Sequence, residues 1–111
     1  MRAGSATDAV RAANAVDMIT RDASFIRVEQ VAAAADLSMR TLQRLFFDYV
    51  GVGPKWVLRR ARLHEAATRA AAGTPVDWAE LAVELGYSDQ AHLTRDFTAT
   101  IGKPPAAYQR E

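Results

Sequence analysis

The stretches LQRLFFDYVGVGP (residues 42–54) and LTRDFTATIGKPP (residues 93–105) repeat one pattern at an offset of 51 residues. Leucine, arginine, phenylalanine, glycine and proline return in the same order and with the same spacing. The matched residues are Leu42, Arg44, Phe46, Gly51 and Pro54 in the first stretch, and Leu93, Arg95, Phe97, Gly102 and Pro105 in the second. Self-similarity at a fixed period indicates that one supersecondary unit is used twice.

The hydrophobic pattern around both stretches is helical. Apolar residues recur at spacings of three and four, and no alternating run typical of a strand persists. A short helix and a turn precede each stretch, which is the helix-turn-helix pattern. We therefore predict an all-α fold of seven helices, in which two homeodomain-like helix-turn-helix units are joined by a long connector helix.

Polar caps and glycine–proline pairs mark the expected helix limits. Thr7 or Asp8 is expected to cap a first helix that runs to about Asp22. Its predicted inward residues are Val10, Ala13, Val16 and Ile19. Later N-caps are expected at Ser38, Asp77 and Asp89. The connector should begin at Pro54, run to about Ala72 and be apolar on one side. Its predicted apolar residues are Val57, Leu58, Ala61, Ala66 and Ala70.

The composition excludes several classes of activity. The absence of cysteine excludes disulfides, thiol catalysis and cysteine-ligated zinc. His64 has no second histidine nearby, and neither a Ser–His–acid arrangement nor a glycine-rich phosphate loop occurs, so we expect no enzyme activity, metal or cofactor. Apolar runs are too short to span a membrane and no signal-peptide pattern is present, so a soluble cytoplasmic protein without a membrane partner is expected.

Charge is distributed unevenly along the chain. The formal net charge is +1 overall, +5 over residues 38–62 and −3 over residues 77–111. A basic segment favours a polyanionic partner, so the first unit is expected to bind nucleic acid more strongly than the second.

The second helix of each unit is predicted to enter the major groove of double-stranded DNA. Arginine can bond both acceptors of guanine, and glutamine can bond the N6 and N7 of adenine. Helical phase predicts base contacts at six outward residues: Arg40, Gln43, Arg44, Gln90, His92 and Arg95. Phosphate contacts are predicted at Ser38, Thr41, Lys55, Arg59, Arg62, Ser88, Thr94 and Lys103. A connector of roughly 27 Å suits two reading helices about one DNA turn apart, ~34 Å.

Aromatic residues outside the repeat are assigned to packing. Trp56, Trp78, Tyr87 and Tyr108 are predicted to lie in the core or between helices. Phe47 faces outward by helical phase. Three roles stay open for it: contact with a thymine methyl group, packing on a neighbouring domain, or folding back on its own unit.

These residues resemble the DNA-binding domain of the AraC/XylS family of bacterial transcription regulators. The resemblance rests on Ser38 and the two repeats, on Arg62-Leu63 with Ala66, and on Leu81-Ala82, Gly86-Tyr87 and Tyr108. It covers about residues 8–110 and implies one DNA-binding domain over that range. Its expected parts are an N-terminal helix and first unit (1–53), a connector (54–73), and a second unit and C-terminal helix (74–111).

The resemblance implies a nucleoid-associated regulator of transcription, with activation as the expected role. RNA polymerase is a further candidate partner. A separate effector-binding or dimerisation domain is expected to be missing from this chain, which is then a fragment; the alternative is a small stand-alone member of the family. The alternative is a helical protein–protein interaction module with degenerate helix-turn-helix units.

The sequence departs from the family pattern at several positions. Phe47 and Thr98 stand where the family usually has lysine, Val57 replaces a usual tyrosine, and Gln109 stands where arginine is common. Because each lost lysine removes a phosphate contact, binding to the DNA backbone is expected to be weaker.

Overall fold

A computed structural model describes residues 5–108, which form six α-helices and one 3-10 helix without a strand. The helices are α1 (Ser5–Arg21), α2 (Val28–Ala34), α3 (Met39–Tyr49), α4 (Pro54–Ala71), α5 (Trp78–Glu84), α6 (Gln90–Ile101) and the 3-10 helix Pro105–Tyr108. The all-α prediction is confirmed. The seventh predicted helix is a single 3-10 turn, and Gln109 lies outside the described residues.

The chain divides into two compact units, Met1–Leu58 and Arg59–Glu111. The division falls inside α4, so the predicted connector begins in the first unit and ends in the second. Its buried apolar residues are Leu58, Leu63, Ala66, Ala67 and Ala70. The expected stripe is therefore rotated toward Leu63 and Ala67, since Val57 and Ala61 are only half-buried.

The predicted inner face of α1 is confirmed at Ile19 and wrong at Val10 and Ala13. Val10 is 58% exposed, whereas Ala12, Ala15 and Ile19 are buried. The helix already includes Thr7 and Asp8, so neither residue is its N-cap. Alanine lies on several faces of this helix, and a small apolar residue that tolerates exposure does not define the buried side.

The first helix pair consists of α2 and α3, and α1 packs on both. At the end of α2, the N–H of Leu37 donates to Ala32 O at 2.9 Å and the N–H of Asp36 donates to Ala33 O at 3.1 Å. This bond pair is the Schellman arrangement, which ends helices with a left-handed residue. Asp36 supplies that residue, with φ of 58°.

The second helix pair consists of α5 and α6, and the 3-10 helix packs on α6. The same two bonds end α5, from Tyr87 N to Ala82 O at 2.9 Å and from Gly86 N to Val83 O at 3.1 Å. The buried rings of Trp78 and Phe97 meet edge to face, with their centroids 5.0 Å apart.

The equivalent core residues of the two pairs are buried to the same extent. Leu42 and Phe46 on α3, and Leu93 and Phe97 on α6, are all fully buried. Both helices end before a glycine with positive φ, Gly51 at 93° and Gly102 at 99°. The inward leucine–phenylalanine face predicted from the repeat is therefore confirmed.

Candidate nucleic-acid interface

The start of α3 is fixed by Ser38, as predicted. Its Oγ accepts a hydrogen bond from the N–H of Thr41 at 3.0 Å and donates to Thr41 Oγ1 at 3.0 Å. A serine oxygen at this place satisfies one of the N–H groups that lack partners at a helix N-terminus. The two hydroxyls that the sequence assigns to phosphate thus already order the first turn, and the cap carries no charge.

The outer face of α3 carries the predicted reading side chains. Arg40, Gln43, Arg44 and Phe47 are exposed, while Leu42, Leu45 and Phe46 are buried beneath them. Within residues 5–108, the side chains of Arg40 and Gln43 make no hydrogen bond or ion pair. Their donor and acceptor groups are therefore available to base edges.

Arg44 differs from these two neighbours because it faces two carboxylates. Its Nη1 lies 3.7 Å from Asp8 Oδ2 on α1 and 3.7 Å from Asp48 Oδ2 one turn along α3. Both distances exceed hydrogen-bond length, and the arginine side chain is 44% exposed, so the pairs stabilise the fold only weakly. Arg44 nevertheless places a positive charge beside both acids.

Phe47 lies on the same outer stripe and is 62% exposed. Its ring rests beside the turn after α3, because a Cβ atom on Gly53 would lie only 3.3 Å from Phe47 Cζ. The ring therefore folds back over Gly53 while most of it stays open to solvent.

The start of α6 is capped by Asp89, as predicted. Its Oδ1 accepts from the N–H of His92 at 2.8 Å. The carboxylate brings negative charge to the helix end that otherwise attracts phosphate. Ser38 is neutral at the corresponding place, so the two helix starts differ in their attraction for DNA.

His92 is turned back toward the turn before α6. Its Nδ1 accepts from the N–H of Ser88 at 3.3 Å and lies 3.2 Å from Ser88 Oγ. The ring also meets Tyr87 edge to face at 4.9 Å. Because Nδ1 accepts this bond, a neutral ring carries its proton on Nε2, and Nε2 is the atom left for a base.

The remaining outer face of α6 is formed by Gln90, Thr94 and Arg95. Gln90 and Arg95 are exposed, and their side chains make no hydrogen bond or ion pair within residues 5–108. Thr94 is half-buried, and its carbonyl accepts from Thr98 Oγ1 at 2.8 Å. Arg95 corresponds to Arg44 in the repeat, but Ala99 stands where α3 has Asp48.

Of the predicted phosphate contacts, Arg62 is buried and Arg59 is half-buried and bonded to the backbone. Arg62 is only 3% exposed, so its guanidinium belongs to the interior and is not presented to a phosphate. Arg59 donates from Nε to Leu85 O at 3.0 Å and from Nη2 to Gly86 O at 2.8 Å. Both arginines serve the fold, which a reading of charge along the sequence does not reveal.

The other two cationic candidates remain on the surface. Lys55 is exposed on the first turn of α4. Lys103 is exposed after α6, with its Nζ 5.1 Å from the centre of the Tyr108 ring. The formal charge of +5 over residues 38–62 therefore overstates the positive charge available to a ligand.

The aromatic predictions hold for three of four residues. Trp78 and Tyr87 are buried, and Tyr108 is half-buried with its ring 6.1 Å from that of Phe97. Trp56 is 50% exposed, so the prediction that it lies in the core is wrong.

Sequence reasoning missed the contacts of Arg60 and Asp96. Arg60 Nη1 lies 3.4 Å from Thr100 Oγ1, and Asp96 accepts from the hydroxyl of Tyr87 at 2.5 Å. The available signal was that Asp96 stands where the first repeat has the apolar Leu45.

Neither a metal centre nor a membrane span is found in the described part of the chain. Residues 5–108 contain no cluster of three or more His, Cys, Asp or Glu side chains able to hold a metal ion. Over the same residues, no helix has the length and apolar character needed to cross a bilayer.

Comparison with known proteins gives the family. A family model described as "Helix-turn-helix domain" matches residues 31–111. The transcriptional activator NphR of a Rhodococcus species is 34% identical over 104 residues, covering 94% of this chain and 30% of that protein. The HTH-type transcriptional regulator MtrA of Neisseria gonorrhoeae is 27% identical over 84 residues, covering 76% of this chain and 28% of that protein. This chain thus spans less than a third of the length of these curated relatives.

Two solved structures share the fold. The C-terminal domain of AraT, a response regulator from Geobacillus stearothermophilus, matches with a TM-score of 0.62 and 23% identity, covering 90% of this chain and 84% of that one. A transcriptional regulator of Chromobacterium violaceum, with an AraC-type DNA-binding domain, matches with a TM-score of 0.62 and 21% identity, covering 97% and 94%. The chain belongs to the helix-turn-helix family of AraC-type DNA-binding domains, which serve transcription regulators and are not enzymes.

Proposed function

We propose that this chain binds double-stranded DNA sequence-specifically, with α3 and α6 as recognition helices in successive major-groove segments. The observation that carries this proposal is the repeated face. Both helices bury equivalent leucine and phenylalanine residues and leave arginine and glutamine side chains outside. A helix of this kind fits the major groove, where those side chains distinguish base pairs. The two pairs and α4 then act as one DNA-binding domain.

The proposed base contacts follow from which side chains are available. Arg40, Gln43 and Arg44 read from α3. Gln90 and Arg95 contact bases from α6, and His92 contacts a base through Nε2. The proposed phosphate contacts are Ser38, Thr41, Lys55, Ser88, Thr94 and Lys103. Arg59 and Arg62 are not proposed as phosphate contacts, because Arg59 bonds two carbonyl groups and Arg62 is buried.

The first pair is proposed to contribute more of the affinity. Its recognition helix begins at the neutral Ser38, whereas α6 begins at Asp89, whose carboxylate repels phosphate. Electrostatic attraction to the backbone dominates the affinity of most DNA-binding proteins. The second pair then acts mainly on sequence preference.

The wider role follows from the length of the relatives. Because the chain matches less than a third of NphR and MtrA, we propose that it works beside a separate effector-binding or dimerisation domain. A role in transcription activation is proposed because the related NphR is a transcriptional activator. RNA polymerase is the proposed partner for that role, which is separable from DNA binding.

The direct experiment is selection of bound sequences from a random duplex pool. We expect enrichment of one site with two preferred blocks about one helical turn apart. Affinity for the selected duplex should fall steeply between low and physiological salt, because basic side chains displace counterions. Failure to enrich any sequence would contradict the proposal.

A protein-interaction module is the second candidate, and the exposed apolar side chains of the first unit favour it. Phe47 and Trp56 are both at least half exposed, and such residues are enriched in protein interfaces. A weak duplex affinity that does not change with salt would support this candidate over DNA binding.

A further inference from the structure

The connections within the two helix pairs differ by one residue. α5 starts and ends 50 positions after α2, whereas α6 starts 51 positions after α3. The second connection therefore holds one extra residue between the left-handed position and the N-cap. Leu37 alone lies between Asp36 and Ser38, but Tyr87 and Ser88 both lie between Gly86 and Asp89.

The residue after the left-handed position is Leu37 in the first connection and Tyr87 in the second. The Tyr87 hydroxyl donates to Asp96 Oδ2 at 2.5 Å. In the repeat, Asp96 corresponds to Leu45, which is fully buried on α3. A polar contact thus replaces an apolar one. Burial is the main cause that raises the pKa of Tyr87 above its ordinary value, and the hydrogen bond to Asp96 raises it further. The phenol therefore keeps its proton and remains a donor at neutral pH.

Arg59 of α4 holds the other side of the same tyrosine. Its guanidinium carbon lies 4.2 Å from the centre of the Tyr87 ring. The group also donates to the carbonyls of Leu85 and Gly86, which follow the last turn of α5. Carbonyls at a helix C-terminus lack helical partners and attract cations, so Arg59 caps α5 while it stacks on Tyr87.

We propose that Arg59, Tyr87 and Asp96 form a positioning clamp that sets the orientation of α6 and thereby the base preference of Gln90 and Arg95. This inference rests on the proposed function. Side chains that read bases must be held within a fraction of an ångström, and a supporting shell of hydrogen bonds provides that precision. The first pair lacks an equivalent polar contact, because the buried Leu45 of α3 fills the position that Asp96 has on α6.

The test deletes one hydroxyl group. Tyr87→Phe keeps the ring under Arg59 and removes the donor to Asp96. Asp96→Asn keeps an acceptor and serves as the conservative variant. Tyr49→Phe is the matched control, since Tyr49 lies on α3 and its hydroxyl makes no hydrogen bond within residues 5–108.

The first measurement is the base preference at each block of the selected duplex. Tyr87→Phe should lower discrimination at the block read by α6 by about three- to tenfold, the size expected for the net contribution of one intramolecular hydrogen bond. The block read by α3 should not change. Asp96→Asn should lower discrimination less than Tyr87→Phe does. Tyr49→Phe should have the same base preferences as the wild-type chain. A folded Tyr87→Phe protein with unchanged preferences, or with both blocks weakened equally, would overturn the proposal.

The second measurement needs no DNA and separates the clamp from the proposed function. Amide hydrogen exchange in α6 should be about three- to tenfold faster in Tyr87→Phe, with exchange in α3 unchanged. If the wild-type chain selects no duplex, the proposed function fails while this comparison still decides whether the clamp holds α6. Unchanged exchange in α6 would rule the clamp out.

Discussion

The first helix pair connects α2 to α3 through four residues, whereas the second connects α5 to α6 through five. Both connections begin with the same two backbone hydrogen bonds, and both pairs bury the same leucine and phenylalanine. In the second connection, Tyr87 stands where the first has Leu37, and its hydroxyl donates to Asp96. The two pairs therefore share their core residues and differ in the connection that precedes the second helix.

The outer faces of the two pairs have diverged further than their cores. Arg44 is surrounded by two carboxylates, but Arg95 has no acid partner within residues 5–108. α3 begins at a neutral cap and α6 at a charged one. Sequence changes on an exposed face cost little stability, so the two surfaces can take different ligand contacts without disturbing the shared scaffold.

The largest expected effect tests whether the two cores are equivalent. Phe46→Ala and Phe97→Ala should each destabilise the protein by about 3–5 kcal/mol, because each removes a fully buried ring and leaves a cavity. Urea unfolding of both variants measures the loss. A cost below about 1 kcal/mol for either one would show that the cores are not equivalent.

The next effect tests the proposed asymmetry between Arg44 and Arg95. Arg44→Ala should weaken duplex binding by about tenfold or more, because a base contact contributes roughly 1–3 kcal/mol and two acids lose their neutralising partner. Arg95→Ala should cost less, since it leaves no acid behind. Titration of a labelled duplex gives both values.

The matched control for these titrations is Arg69→Ala. Arg69 faces Glu65 at 3.7 Å, the same distance as the Arg44–Asp48 pair, but it lies outside α3 and α6. Its removal should leave the affinity nearly unchanged. Equal losses from Arg44→Ala and Arg95→Ala, or a larger loss from Arg95→Ala, would contradict the asymmetry.

A smaller effect is expected at the left-handed position of each turn. Gly86 has φ of 78° and Asp36 has φ of 58°. Gly86→Ala should destabilise by about 1–2 kcal/mol, because a Cβ atom disfavours this conformation. Asp36→Gly should be neutral or stabilise by up to about 1 kcal/mol. Thermal unfolding distinguishes the two, and a stabilising Gly86→Ala would refute the backbone argument.

The smallest effect concerns the charge at the start of each helix. Asp89→Ser keeps a capping oxygen and removes a negative charge, so duplex affinity should rise about two- to fivefold, in line with the 0.3–1 kcal/mol typical of charges at helix ends. Ser38→Asp should lower affinity by a similar factor. If affinity responds to neither change, the two helix starts do not face phosphate.

The sequence was sufficient for those features that a local pattern determines. The spacing of leucine and phenylalanine predicted the buried faces of α3 and α6, and short polar side chains predicted the caps at Ser38, Asp77 and Asp89. These features depend on neighbouring residues alone, so they can be read without knowing the tertiary packing.

The sequence was insufficient where a long-range contact decides the role of a residue. Arg59 and Arg62 are predicted phosphate contacts because they lie early in the connector, yet one caps α5 and the other is buried. The inner face of α1 is predicted wrongly at Val10 and Ala13, because alanine tolerates both the buried and the exposed side of a helix. The hydrogen bond between Tyr87 and Asp96 depends on how the turn after α5 packs against α6, so no local pattern in the sequence predicts it.

The central claim is that α3 and α6 are two separate readers of one site. The most direct test measures base preference at every position of the selected duplex for the wild-type chain, Arg44→Ala and Arg95→Ala. We predict two preferred blocks, one relaxed only by Arg44→Ala and the other only by Arg95→Ala. A single preferred block, or two variants that relax the same positions, would contradict the claim.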